Sequence, residues 1–282
     1  MKDKNIAQNQ KTEYNEDMKR RINPMVDCVF KAILGAEEHK NLLIHFLNAV
    51  LEPRGYKKIT HVIIKNPYNE KEYETDKLTI VDVKATDNEG SYYQVEVHLS
   101  NEPGLKKHML FNWGDMYQKQ LSEGDGFEML KPVISIWLLE ESLITDSPSF
   151  HHQFLAYDPK NKIILCEDFN IHLLEVKKWK KKVESEEDRW LYFFKEGRNL
   201  DADAPPEELK TSEMEEAMGV LKEFSEKEKA YDRYRNRMRA LSMVKSFENK
   251  IKNLEVEKDS ALKEKDSALK EKDSALKELK EK

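Results

Sequence analysis

The stretch from Val81 to Ser100, VDVKATDNEGSYYQVEVHLS, constrains the fold more than any other part of the chain. Apolar and polar residues alternate on both sides of the central DNEGS, which predicts two β-strands joined by a tight turn. Gly90 suits the left-handed position that closes a three-residue loop with a bulge. The sequence therefore predicts a β-hairpin here.

Each strand of this hairpin carries a carboxylate in its middle, Asp82 in the first strand and Glu96 in the second. With a three-residue loop at 88–90, the register places Asp82 opposite Glu96 and Lys84 opposite Gln94 on one face of the hairpin. Like charges directly opposite each other are destabilising. This register therefore implies that a cation lies between the two acids or that one of them is protonated.

A second register is open for the same residues. A two-residue loop at Asn88 and Glu89 would pair Asp82 with Val95, and the two acids would then no longer be neighbours. Gly90 favours the three-residue loop, because the left-handed conformation is costly for residues other than glycine.

The flanking segments predict an α/β fold. Apolar residues at helical spacing predict helices at about 23–35, 38–51, 103–120 and 186–197. Strands are expected at 58–66 and in the continuous apolar run at 131–140, with one or two more within 161–176. The order of these elements favours a mixed sheet flanked by helices.

Composition divides the chain into four parts. We expect a disordered arm at 1–21, a core at 22–204, a charged helical extension at 205–250 and a charged repeat tail at 251–282. The net charge of −6 argues against a protein that coats nucleic acid. Without a secretory segment or an apolar run that could span a bilayer, and with Cys28 and Cys166 expected to be buried thiols, a cytoplasmic protein without membrane contact is expected.

Two charged features of the C-terminal part have open interpretations. Leucine recurs every seven residues at Leu262, Leu269 and Leu276, but the corresponding a positions are aspartates. The tail is therefore either a single charged helix or a weak coiled coil that makes a homo-oligomer. The arginines interleaved with tyrosines at 231–239 favour a solvated helical face over a nucleic-acid patch.

The acid pair indicates a metal site. Two carboxylates on adjacent strands can hold Mg²⁺ through a few oxygens and leave positions open for water. A metal at such a site lowers the pKa of bound water and shields charge on a scissile phosphate. The spacing Asp-x(13)-Glu-x-His is a weak signal alone, and the strand-turn-strand context strengthens it.

Three segments, INPMVDCVFKAILG, LTIVDVKATDNEGSYYQVEVHLS and GLKKHMLFNWGDMYQKQL, resemble the Rpn family of recombination-promoting nucleases, also called transposases, of the PD-(D/E)XK superfamily. The resemblance spans roughly residue 23 to the mid-240s. It implies a restriction-endonuclease-like fold with a C-terminal helical or coiled-coil extension. It also implies Mg²⁺-dependent cleavage of DNA phosphodiesters, with Mn²⁺ as an alternative ion.

The resemblance also implies roles for particular residues. Asp82 and Glu96 match the metal-binding acids, and Asp27 matches an acid on the first helix, where a helix-dipole role is equally open. His98 departs from the pattern, since the family usually has glutamine there and the superfamily lysine. It can act on the water, contact phosphate, bind metal or be inert, and Lys84 on the same face can supply the missing cation.

The helix after the hairpin carries the candidate DNA contacts Lys106, Lys107, His108 and Tyr117, although exposed lysines are common and Tyr117 can equally be a core residue. The sequence thus favours a metal-dependent DNA endonuclease that promotes recombination. The alternative is a catalytically degenerate nuclease-fold module that binds DNA or protein through its surface and tail.

Overall fold

The computed structural model describes residues 20–65 and 82–280. Its helices are α1 Asp27–Leu34, α2 Lys40–Leu51, α3 Leu105–Gln118, α4 Glu186–Glu196, α5 Ser212–Glu226 and α6 Glu228–Lys280. Its strands are β1 Val62–Lys65, β2 Val83–Asp87, β3 Tyr92–His98, β4 Val133–Leu139, β5 His151–Leu155, β6 Tyr157–Asp158, β7 Ile163–Ile164 and β8 Phe169–Glu175. No described helix is both long and apolar enough to cross a membrane.

The main sheet has the strand order β1-β2-β3-β4-β8-β5. Strands β3, β4 and β8 are parallel, whereas β1, β2 and β5 join the sheet through antiparallel pairs. Strand β4 is buried along its whole length, as its continuous apolar run predicts. The predicted mixed α/β sheet flanked by helices is therefore confirmed.

Helices cover both faces of this sheet. Helix α3 packs against Trp137 and Leu139 of β4 and against Ile171 and Leu173 of β8. On the other face, helices α1, α2, α4 and α5 pack with one another, and a Cβ added to Gly35 at the end of α1 would lie 3.3 Å from Val83 of β2. The hairpin that carries the acids therefore lies between two helical layers.

Strand β5 was not expected from the sequence. Its residues, HHQFL, have no buried member, so the apolar pattern that marks the central strands is missing. It forms because its backbone pairs with β8 at the edge of the sheet.

The burial expected for the two cysteines is also corrected. Cys166 is exposed in the loop between β7 and β8, and Cys28 is half-buried.

The chain divides into two compact units, one reaching Tyr234 and the other beginning at Arg235. The expected core boundary at 204 lies inside the first unit, because α5 packs on α1 and α2. Tyr234 is buried, and its hydroxyl accepts a hydrogen bond from the backbone N–H of Asn23 at 3.2 Å. In the second unit, Leu262 and Leu269 are exposed. Most of the expected disordered arm, residues 1–19, lies outside the described residues.

Candidate metal centre

The β2–β3 hairpin brings the two acids together. Its three-residue turn closes with the Asp87 N–H donating to Ser91 O at 3.1 Å, and Gly90 adopts a φ of 89°. The pairing of Lys84 with Gln94 confirms the three-residue loop and excludes the two-residue alternative. Asp82 directly precedes β2 and lies across from Glu96, with its Oδ2 accepting a hydrogen bond from the Val97 N–H at 2.9 Å.

Glu96 lies in an environment that disfavours its charge. The residue is 4% exposed. Burial, and then the negative charge of Asp82, raise the pKa of Glu96 to about 8, while a hydrogen bond from Gln94 opposes the rise. The side-chain amides of Gln94 and Asn112 donate to Glu96 Oε1 at 3.0 and 3.4 Å. At neutral pH, Glu96 is therefore mostly protonated unless a cation is bound nearby.

The surroundings of Asp82 stabilise its negative charge better than those of Glu96 do. Burial raises its pKa, whereas the Val97 N–H and the ammonium of Lys31 lower it. Lys31 Nζ lies 3.3 Å from Asp82 Oδ1. Asp27, one helical turn before Lys31 on α1, also acts on Asp82, since its negative charge raises the pKa of Asp82. Helix α1 thus brings both a positive and a negative side chain toward the acid pair.

Two buried oxygens beside Glu96 lack donors. Gln94 Oε1 and Asn112 Oδ1 have no hydrogen-bond partner among the described residues, although both residues are almost fully buried. Buried acceptors are normally satisfied, so such exceptions indicate room for a water or an ion. Two carboxylates and nearby amide oxygens are also the ligand types that Mg²⁺ prefers. The residues present therefore fit a hard divalent cation.

The described residues supply two carboxylate ligands rather than a complete set of protein ligands for a metal ion. Within the described residues, no group of three or more His, Cys, Asp or Glu side chains is arranged to hold a metal. A complete cage is not required for Mg²⁺, because this ion commonly keeps several waters and binds one or two carboxylates together with substrate phosphates.

His98 lies at the end of β3 on the same face as Glu96. Its ring stacks on Trp137 with a centroid distance of 5.2 Å, and the ring of His108 lies edge-on at 6.1 Å from it. Burial lowers the pKa of His98 despite the nearby charges of Asp82 and Glu102. The imidazole is therefore mainly neutral at pH 7 and able to accept a proton.

The remaining sequence candidates lie in different surroundings. Lys84 is half-buried, and burial lowers the pKa of its ammonium. The negative charge of Asp115 on α3 opposes this fall. Lys106 and Lys107 are exposed in the first turn of α3. Tyr117 lies in the last turn, where its hydroxyl donates to Asp168 Oδ2 at 2.7 Å.

Three residues of this centre were missed from the sequence. Lys31, Gln94 and Asn112 all contact one of the two acids. Lys31 had a local signal, since it lies four residues after Asp27 and so on the same face of α1. Asn112 had none, because α3 meets β3 only in the folded chain.

A second polar cluster, formed by buried and half-buried residues, lies on the opposite face of the sheet. It consists of Arg54, Tyr56, His151, Asn170, His172 and Glu187, which we call the histidine cluster. His151 connects Glu187 to His172, with its Nδ1 2.5 Å from Glu187 Oε1 and its Nε2 3.0 Å from His172 Nδ1. Tyr56 donates to Asn170 Oδ1 at 2.6 Å and lies 3.1 Å from His172 Nε2.

A helix-flanked mixed sheet with an acid pair on its antiparallel hairpin defines a nuclease-like class of protein. The comparison with family models agrees, since residues 24–250 match the model described as PD-(D/E)XK nuclease family transposase. The chain belongs to this family, and the resemblance seen in the sequence is confirmed. No curated protein and no solved structure matches the chain. Membership supports a nuclease-like function, and nucleases of this class generally use divalent metal ions.

Proposed function

We propose that this protein is a Mg²⁺-dependent DNA endonuclease whose metal is held by Asp82 and Glu96, with Mn²⁺ as an alternative ion. The buried acid pair carries this proposal. Two carboxylates that face each other with raised pKa values destabilise the fold when both are ionised, and such costly arrangements concentrate at functional sites. Asp27 is the candidate third ligand, since its charge acts on Asp82.

The residues around the pair suit phosphodiester hydrolysis. A bound divalent ion would acidify a water and shield the phosphate charge. His98, neutral and directly beyond Glu96 on the strand, is a candidate acceptor for the proton of that water, and Lys84 is an alternative cation on the same face. We assign DNA contacts to Lys106, Lys107, His108 and Tyr117 on α3.

Two further parts of the proposal rest on other observations. The family description as a transposase is the basis for proposing that cleavage promotes DNA recombination. The exposed leucines Leu262 and Leu269 of the tail are the basis for proposing a homo-oligomer.

Cleavage of supercoiled plasmid tests the function. Wild-type protein with Mg²⁺ should nick or linearise the plasmid, and Asp82→Asn and Glu96→Gln should each reduce the rate by at least about 10²-fold, as the loss of a key electrostatic group does elsewhere. Glu89→Gln is the matched control, because Glu89 is an exposed acid at the turn of the same hairpin and pairs with Lys57.

Three results would contradict the proposal. Absence of cleavage with both Mg²⁺ and Mn²⁺, or equal cleavage by the acid-pair variants, would favour the degenerate binding module instead. A parallel assay on single- and double-stranded RNA of matched length decides whether DNA is the substrate, and preferential cleavage of RNA would overturn that part.

A further inference from the structure

Among the residues that the structure describes, Lys31 is the cation whose ammonium lies at the acid pair. Its ammonium lies 3.3 Å from Asp82 Oδ1, and its side chain is 37% exposed while that of Asp82 is 12% exposed. The helix that carries it is firmly packed, since Val29, Phe30, Ile33 and Leu34 of α1 are fully buried. The backbone of Lys31 is therefore fixed beside the centre, while the end of its side chain can reach solvent.

The other basic groups that the structure describes near the site are less suitable. The negative charge that most stabilises the ammonium of Lys84 is that of Asp115, on helix α3. His98 stacks on the Trp137 ring, which fixes the plane of its imidazole. A group that stabilises charge during phosphodiester cleavage must combine a fixed anchor with a positive charge near the metal-binding oxygens, and Lys31 meets both requirements.

The contact with Asp82 is not compatible with a metal on the same oxygen. A divalent ion bound there would repel an ammonium only a few ångströms away. Lysine has a flexible four-carbon chain and three rotatable donors, so it can turn away from Asp82 without a change in the helix. A substrate phosphate bound to the metal would then offer its non-bridging oxygens to this ammonium as anionic partners.

We propose that Lys31 is a catalytic residue of this centre, which balances Asp82 in the metal-free protein and contacts the phosphodiester oxygens of the substrate once a divalent ion occupies the acid pair. This inference rests on the proposed nuclease function and adds the residue that supplies positive charge to the substrate. It also makes Lys31 a competitor of the metal for Asp82.

Competition gives the proposal a test that does not depend on activity. Mn²⁺ binding by the full chain is measured by calorimetry in wild type, Lys31→Met and Lys31→Arg, without nucleic acid. Lys31→Met should bind Mn²⁺ at least as tightly as wild type, and up to about tenfold more tightly, because the competing ammonium is absent. If Lys31 merely holds Asp82 in place, its removal would weaken Mn²⁺ binding instead, which would overturn the proposal.

Plasmid cleavage completes the test. Lys31→Met should reduce kcat by about 10²-fold at saturating Mg²⁺, whereas Lys31→Arg, which keeps the charge, should recover at least a tenth of the wild-type rate. Lys40→Met is the matched control, because Lys40 forms an ion pair with Glu37 at 2.9 Å and is 33% exposed, close to Lys31 in both respects. The control should change neither readout.

The two proposals fail in distinguishable ways. If wild type cleaves and Lys31→Met retains its kcat, the role of Lys31 is wrong and the nuclease function stands. If wild type does not cleave with either metal, the nuclease function is wrong, and the catalytic role of Lys31 fails with it whatever the Mn²⁺ titration shows. Thermal melts of all variants establish that each readout comes from folded protein.

Discussion

The acid pair and the histidine cluster are both buried and polar, yet they differ in how well their groups are satisfied. Around Glu96, the oxygens of Gln94 and Asn112 lack donors. In the histidine cluster, every buried side-chain nitrogen and oxygen has a partner among the described residues. A fully bonded network stabilises a fold, whereas an incompletely bonded one needs something further, such as an ion. The acid pair therefore has the character of a binding site, and the histidine cluster that of a structural element.

The two clusters should also respond to pH in opposite directions. The pKa of Glu96 is raised from 4.5 to about 8 in the folded protein, so its stabilising contribution is present at low pH and lost as pH rises through that interval. Burial lowers the pKa of His172 from 6.5 to about 3, so its contribution is present above pH 6.5 and lost as pH falls. Each cluster can therefore be probed on its own limb of the stability profile.

The largest expected effect comes from Glu96→Gln on the alkaline limb. In the metal-free wild type, the free energy of unfolding should fall between about pH 5 and pH 8.5 by roughly 3 to 4 kcal/mol from this group, since each pKa unit corresponds to about 1.4 kcal/mol. Glutamine cannot ionise, so the variant should lose most of this decline. Urea unfolding at several pH values measures it.

Saturating Mg²⁺ provides the control for that prediction. An ion on the acid pair favours the ionised carboxylate, so it should remove the alkaline decline of wild type and leave Glu96→Gln unchanged. A decline of equal size in wild type and variant would show that another group causes it and would weaken the comparison.

Glu187→Ala should have the next largest effect. Glu187 is 8% exposed and bonds to both Arg54 and His151. Its removal deprives the buried imidazole of His151 and the half-buried guanidinium of Arg54 of their shared acid, and breaking a buried pair of this kind typically costs about 3 kcal/mol of unfolding free energy. The plasmid-cleavage rate per folded molecule should not change, because this cluster lies on the other face of the sheet from Glu96.

Glu186→Ala is the control for Glu187→Ala. Glu186 is the neighbouring acid in the same first turn of α4, but its side chain is 45% exposed, and it pairs with Arg189. Its loss should cost no more than about 1 kcal/mol. Equal losses in the two variants would contradict a buried structural role for Glu187.

His172→Gln tests the acid side of the stability profile. Between pH 6.5 and pH 5, the wild type should lose about 2 kcal/mol through His172, because the unfolded chain takes up a proton that the folded chain cannot. The glutamine variant should be less stable at pH 7 but should lose less on acidification. A steeper acid limb in the variant would contradict the assignment.

The smallest effect is expected from Gly90→Ala, which tests the turn that sets the register of the acids. Gly90 has a φ of 89°, and alanine in this conformation costs about 1 kcal/mol. Gly114→Ala is the control, since Gly114 lies within α3 and an added Cβ would meet no atom within 4 Å. That change should leave stability unchanged or slightly increased. If Gly90→Ala also shifts the register of the hairpin, Asp82 and Glu96 would no longer face each other, and plasmid cleavage would fall.

Much of this architecture was predictable from local patterns. The apolar spacing of residues 23–35 and 103–120 agrees with α1 and α3, and the apolar run at 131–140 contains β4. Local patterns failed at β5, where a strand at the edge of the sheet is stabilised by backbone pairing rather than by buried side chains.

The sequence by itself determined that the two acids lie on one hairpin, and Gly90 favoured the loop length that makes them neighbours on one face. Tertiary structure decided what surrounds the pair. Lys31 lies on α1, before the hairpin in the sequence, and Asn112 lies on α3, after it. Only the packing of these two helices brings the two side chains to Asp82 and Glu96. The raised pKa of Glu96 likewise depends on burial between layers, which no local pattern of residues specifies.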